Sequence, residues 1–209
     1  MIPLTPEQTK VRERTLRSAF LLSLWAPLAT GAAVFLSQSS TQLADFIRRT
    51  VDLGALTTSW LVFRHLMRHP ELPPARSRLL EQRAGLAVAL ALVLSGLMML
   101  IYLLLQRGDT LPGGNVYPGM AIAVMGLGVN GWFWRRYYIL VREHYSLLLD
   151  AQRRLYRAKA AVDLSVLLAL SSVAFLPDHP WTSGTDQIGS VVVALYLLWS
   201  GAETFRRNR

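Results

Sequence analysis

Six long apolar blocks constrain this chain more than any motif in it, running over residues 16–36, 43–67, 84–105, 118–141, 156–176 and 188–205. A helix needs about 20 apolar residues to cross the roughly 30 Å hydrocarbon core of a bilayer, so each block reads as a membrane-spanning helix. With short connections the six blocks use up nearly all of the 209 residues, and no separate soluble domain of ordinary size fits beside them. The expected fold class is all-α: a polytopic membrane protein with a single six-helix domain over 16–207. A cytoplasmic tail over 1–15 is expected before it, and no C-terminal cytoplasmic domain after it. Glu7 and Glu13 in the leading segment, with no small-residue cleavage pattern behind the first block, argue for a retained helix rather than a signal peptide.

The connections are read from their composition. Residues 37–42 form a short polar loop. Residues 64–83 form a basic loop broken by Pro70, Pro73 and Pro74, and so not helical throughout. Residues 107–117 and 177–186 are turns. Residues 142–157 are polar and read as helix continuing outside the membrane; their alternation of apolar and charged residues suits an anionic lipid surface, a partner, or plain solvent.

The net charge is +9, from 22 Lys and Arg against 13 acids. In a soluble protein that excess points to nucleic acid, but here it falls in alternate connections, and no nucleic-acid partner is expected. Lys10, Arg12, Arg14 and Arg17 precede the first block. Arg64, Arg68, Arg76, Arg78 and Arg83 lie between the second and third, and Arg135, Arg136, Arg142, Arg153, Arg154 and Arg157 between the fourth and fifth. Arg206, Arg207 and Arg209 follow the sixth. The opposite connections hold Arg107 with Asp109, Asp178 and Asp186. Basic residues collect on the cytoplasmic side, so both termini are expected inside, in a multi-pass protein of the cell (inner) membrane. Trp132, Trp134, Tyr137 and Tyr138 near the end of the fourth block suit an interfacial aromatic belt. The chain has no cysteine, which excludes disulfides and thiolate metal sites.

Ionisable residues inside two of the blocks carry the functional signal. Asp45, Arg48, Arg49 and Asp52 lie in the second, Lys159 and Asp163 in the fifth. A charge at membrane depth costs at least about 2.5–3.5 kcal/mol on insertion scales, so such residues face the bundle interior, pair with one another, or line a polar path. Arg48 and Asp52 are four apart, as are Lys159 and Asp163, which puts each pair on one helix face about 6 Å apart along the axis. The two helices run in opposite directions. If they face each other, Arg48 comes level with Asp163 and Asp52 with Lys159. Two alternatives stay open: Lys159 snorkels to the interface, and Asp45 and Arg49 either join the network or reach the outer interface.

This arrangement resembles the transmembrane domain of the cation diffusion facilitator family, which includes bacterial zinc and iron efflux proteins. The resemblance rests on six helices with both ends inside and on two short runs, Arg48-Arg49-Thr50-Val51-Asp52-Leu53-Gly54-Ala55 and Lys159-Ala160-Ala161-Val162-Asp163. It implies a metal site between the second and fifth helices, built in the family from an Asp-x-x-x-Asp and a His-x-x-x-Asp pair. Asp52 and Asp163 stand at two of those four ligand positions, and Arg48 and Lys159 at the other two. Asp186 resembles the family's Asp at the start of the sixth helix, and Asn130 falls where members often carry a polar residue. A divalent cation such as zinc and a homodimer are further implications, while no cofactor follows from the residues themselves. The family's Gly-His-Gly loop is replaced by residues 73–83, and no counterpart of its cytoplasmic metal-binding domain is expected. A protonated guanidinium has no lone pair to offer a metal, so Arg48 and Lys159 are expected to balance the two aspartates much as a bound dication would.

Other signals are weaker. Gly126, Gly128 and Gly131 match G-x-G-x-x-G but lie inside an apolar helix, where close packing through small residues is the expected role. His65 and His69 are four apart at the inner end of the second helix and read as a solvated pair or a metal pair. His144 and His179 are isolated. No catalytic serine, histidine and acid spacing occurs, and an enzyme is not expected. Two functions stay open: a cation transporter of this family with altered ion or coupling, in which Lys159 acts as a proton-coupled switch, or a non-transporting relative acting as a structural or regulatory subunit, with itself or with a membrane partner.

Overall fold

A computed structural model describes residues 6–37, 40–105, 117–175 and 181–208. They form six helices: α1 (Pro6–Ser37), α2 (Ser40–Arg68), α3 (Pro74–Leu105), α4 (Tyr117–Glu143), α5 (Leu147–Phe175) and α6 (Trp181–Arg207). The helices are longer than the apolar blocks. At 1.5 Å per residue the shortest, 27 residues, is about 40 Å long and exceeds the roughly 30 Å core of a bilayer. Among the described residues only α3 is also apolar enough by composition to cross a membrane unaided. The other five carry polar and ionisable residues within their length, which lowers their mean hydropathy; Asp52, Asp150, Gln152 and Arg154 among them turn inward.

Several connections differ from their sequence reading. The tail expected over 1–15 is helical from Pro6, and Arg12, Thr15 and Leu16 are buried. The basic loop shrinks to residues 69–73. Pro74 starts α3 because proline suits the first turn of a helix, where its missing N–H is not needed, and the Ser77 N–H already bonds the Pro73 carbonyl at 3.1 Å. The turn expected over 177–186 gives way to α6 at Trp181. Residues 142–157 are not one helix in solvent: α4 ends at Glu143 and α5 starts at Leu147. The break comes from capping. The Leu147 N–H, free at a helix N-terminus, donates to Glu81 Oε2 at 3.2 Å, and Arg12 Nη2 donates to the His144 carbonyl at 2.9 Å. Leu148, Leu149, Gln152, Arg154 and Leu155 then run buried through the bundle.

Backbones approach most closely between α4 and α5 and between α3 and α6, then between α1 and α2, α2 and α3, and α5 and α6. Small residues make the α3–α6 contact: a Cβ on Gly96 would meet Leu198 Cγ at 2.9 Å, and one on Gly201 would meet Val93 Cγ2 at 2.7 Å. Such close approach is how helices associate without a hydrophobic drive between them. Of the three glycines in the G-x-G-x-x-G run, Gly126 alone is tightly packed; a Cβ added at Gly128 or Gly131 would meet nothing within 4 Å. Tyr137 leaves the expected aromatic belt. It is fully buried and stacks on Tyr156 at 5.4 Å, with Phe133 4.9 Å from Tyr156, while Trp132, Trp134 and Tyr138 are exposed. Exposed large apolar side chains, including Trp25, Leu104, Leu105, Met125 and Phe175, cover the outside.

The N-termini of α1, α3 and α5 and the C-termini of α4 and α6 meet at one end, tied by Arg12 to residue 144, by Glu81 to residue 147, by Arg154 to Glu203, and by Gly85 to the Asn208 side chain. Most of the chain's arginines cluster there.

Candidate functional site

Asp52 lies on the inward face of α2, in the series Asp52, Ala55, Leu56, Ser59 and Phe63, all buried at helical spacing. Lys159 of α5 meets it: Nζ stands 3.4 Å from Asp52 Oδ2, with side-chain exposures of 15% and 9%. Seven residues further along α2, and seven back along α5, Gln152 Nε2 donates to Ser59 Oγ at 2.7 Å, and both residues are fully buried. The Ser59 hydroxyl passes its own hydrogen to the Ala55 carbonyl at 2.9 Å. These two contacts fix one antiparallel register over two helical turns. Yet α2 and α5 are not among the described helix pairs that pack backbone to backbone along their length. Long polar side chains reach across a wider gap.

The same register puts Asp163 level with residue 48. The side chains of Arg48 and Asp45 lie outside the described residues, as does that of Asp186. Arg49 is half-buried on α2. Asp163 is engaged from another direction: Asn130 Nδ2 of α4 donates to its Oδ2 at 2.6 Å. The carboxylate sits against Gly126, where a Cβ would come within 2.9 Å of Oδ2. Glycine is needed there because α5 presses its acid onto the α4 backbone.

Lys159 has a second neighbour. Its Nζ lies 5.3 Å from the centre of the Tyr156 ring, within the range of a cation–π contact. A charge-assisted N–H···O contact is usually about 2.7–2.9 Å, so the 3.4 Å approach to Asp52 is loose. The ammonium thus stands between a carboxylate and a ring face.

Among the described residues no three His, Asp or Glu side chains converge to hold a metal ion. His65 and His69 face each other with ring centres 4.7 Å apart, but His69 Nδ1 pairs with Glu71 at 2.9 Å in an exposed setting. A dication as cargo would find two carboxylates here, one beside an ammonium and one held by an amide, and would have to displace the ammonium.

Sequence reasoning missed Gln152 and Ser59, although extending the Asp52–Lys159 register by two turns in each helix reaches both. It also missed the basic-end network: Asp150 with Arg153 at 2.5 Å and Arg154 at 3.2 Å, and Arg154 with Glu203 at 2.8 Å. Those arginines read as topology signals and as part of a stretch facing lipid, a partner or solvent.

A comparison with curated proteins finds no match. A comparison with family models matches the cation efflux transmembrane domain over residues 16–209, which includes all of the Asp52, Asn130, Lys159 and Asp163 cluster. The chain is a multi-pass membrane protein and belongs to the cation efflux family.

Proposed function

We propose that this protein is a cation efflux family transporter with altered coupling, in which Lys159 is a tethered counter-cation. The loose 3.4 Å contact between Lys159 and Asp52, beside the Tyr156 ring, supports this reading. A mobile cation arriving at Asp52 competes with the ammonium. Lys159 yields the carboxylate by giving up its proton as the cation arrives, so one positive charge leaves the site for each cation that enters. Such exchange lowers the cost of the added buried charge, and Asp163 offsets part of what remains. Asp163, oriented by Asn130, is the second carboxylate of the path, level with Arg48. In this reading six helices span the cell membrane, and the basic end, with both termini, faces the cytoplasm. That orientation follows the alternating charge of the connections.

A second reading is favoured by Asn130. Its short bond to Asp163 and the Asp52–Lys159 pair engage both carboxylates from within the chain. A non-transporting structural or regulatory subunit, paired with itself or with a membrane partner, needs no more.

Uptake of zinc and of protons into proteoliposomes tests the two readings. The transporter reading expects cation-dependent flux in the native protein, lost in Asp52→Asn and changed in ion preference by Lys159→His. Absence of flux in the native protein, with zinc flux gained in Lys159→His, overturns it in favour of the subunit.

A further inference from the structure

A cavity of about 90 Å³ opens at the basic end between α4 and α5, lined by Trp134, Tyr138, Arg153, Arg154 and Arg157. Its chemistry is unlike that of the Asp52 site. Three guanidinium groups line it, and Arg142 stands nearby, its Cζ 4.8 Å over the ring of Tyr138, which also lines it. Arg207 lies behind, paired with Glu203 at 3.0 Å. The acids in contact with these arginines are Asp150 and Glu203. The three guanidinium groups that line the cavity, against these two carboxylates, leave an excess of one positive charge, and Arg142 and Arg207 stand around it. The arginines are held in place: Arg154 by two carboxylates, Arg153 by Asp150, and Arg157 by its Nε bond to the Tyr196 hydroxyl. They are therefore preorganised, and planar guanidinium forks match phosphate oxygens better than ammonium groups do.

The approach to the cavity is apolar. On α4 the series Val124, Gly128, Gly131, Trp134 and Tyr138 follows helical spacing along one face. Val124, Trp134 and Tyr138 are exposed, and nothing lies within 4 Å of where a Cβ on Gly128 or Gly131 would be. The two glycines leave this face of α4 bare of side chains one and two turns from Trp134 and Tyr138 of the cavity lining. An interfacial tryptophan and tyrosine mark where this face meets the cavity.

We infer that this cavity binds the phosphate of an anionic phospholipid, with one acyl chain lying along the Gly128–Gly131 face of α4. The guanidinium cluster takes the phosphodiester, Trp134 and Tyr138 flank the glycerol, and the bare helix face takes the chain. Basic pockets between membrane helices suit such headgroups. The lipid site uses none of Asp52, Asn130, Lys159 or Asp163, so it stands or falls independently of transport at Asp52.

Native mass spectrometry of the purified full-length protein tests it, with phosphatidylglycerol, phosphatidylcholine or inorganic phosphate as the probe. Phosphatidylglycerol is expected to be retained over phosphatidylcholine. Each of Arg153→Ala and Arg157→Ala is expected to weaken its retention about fivefold, from roughly 1 kcal/mol per basic residue near the surface. Gly131→Leu keeps every charge and sits on an open helix face, so it is expected to fold and to lose the lipid. Arg76→Ala with Arg78→Ala, at the same end but outside the cavity, is expected to leave retention unchanged. Equal loss in that pair, or full retention in Gly131→Leu, overturns the site. Inorganic phosphate displacing phosphatidylglycerol at comparable concentration overturns the lipid assignment in favour of a soluble anion.

Discussion

Arg154 and Lys159 stand little more than one turn apart on α5, and the two cations are held in opposite ways. Arg154 is 5% exposed and bonds two carboxylates from two helices, Asp150 Oδ2 through Nε at 3.2 Å and Glu203 Oε2 through Nη1 at 2.8 Å. Among the described residues Lys159 makes one ion-pair contact, at 3.4 Å with Asp52, and leans over a tyrosine ring. A rigid planar fork satisfied on two sides acts as a fastener between α5 and α6. A flexible ammonium with one loose partner can exchange it. Burial alone does not separate the two positions; the number and geometry of their partners does.

The largest effect is therefore expected at the fastener. Arg154→Met leaves Asp150, which is buried, and Glu203 beside each other without the cation between them. Breaking a buried pair by removing one partner costs about 3–5 kcal/mol, an upper bound here because Arg153 stays on Asp150 and Arg207 on Glu203. Denaturant unfolding of the purified protein reads this directly. Lys159→Met should cost less, about 1–3 kcal/mol for one buried acceptor left without its donor. Adding Asp52→Asn should recover most of that loss. If Lys159→Met proves more damaging than Arg154→Met, Lys159 is a structural bolt and cannot serve as an exchangeable counter-cation.

The fold was largely legible in the sequence because a bilayer admits few solutions. Apolar blocks of spanning length give the helices. The Asp52–Lys159 contact was legible for a related reason: two charges four apart on each of two antiparallel helices permit one in-phase register. The helix ends were less legible. The break at residues 144–146 depends on Glu81, more than sixty residues away, capping Leu147, and no local pattern announces that. The burial of the 147–155 stretch was hidden as well. Its arginines read as topology signals on a stretch facing lipid, a partner or solvent, whereas Arg154 is interior, held by Asp150 of its own helix and by Glu203 of α6. Gly126 carries a packing role that Gly128 and Gly131 do not, since the deciding neighbour, Asp163, lies on another helix.

The smallest effect probes the basic end from its other side. Burial pushes the Glu81 carboxyl above its ordinary value of 4.5, and the Ser146 hydroxyl, the Leu147 N–H and Arg12 pull it only part of the way back. A carboxyl whose pKa is higher in the folded than in the unfolded state binds more protons when folded. Stability then falls as pH rises from the ordinary carboxylate value through the folded one, and the cost is fully present above it. Glu81→Gln still offers an oxygen to the Leu147 N–H but has no charge to bury. Exposed Glu71, held below its ordinary value by its own backbone N–H and by His69, shifts stability the opposite way, but equally in both proteins, and cancels in the difference. The variant is thus expected to match or exceed the native melting temperature at neutral pH and to lose that advantage on acidification. A thermal shift series in detergent measures the difference. A difference that stays flat between about pH 4 and about pH 8 would show that Glu81 is solvated, and that the α4–α5 break is held by Arg12 and the His144 carbonyl rather than by a buried acid at the start of α5.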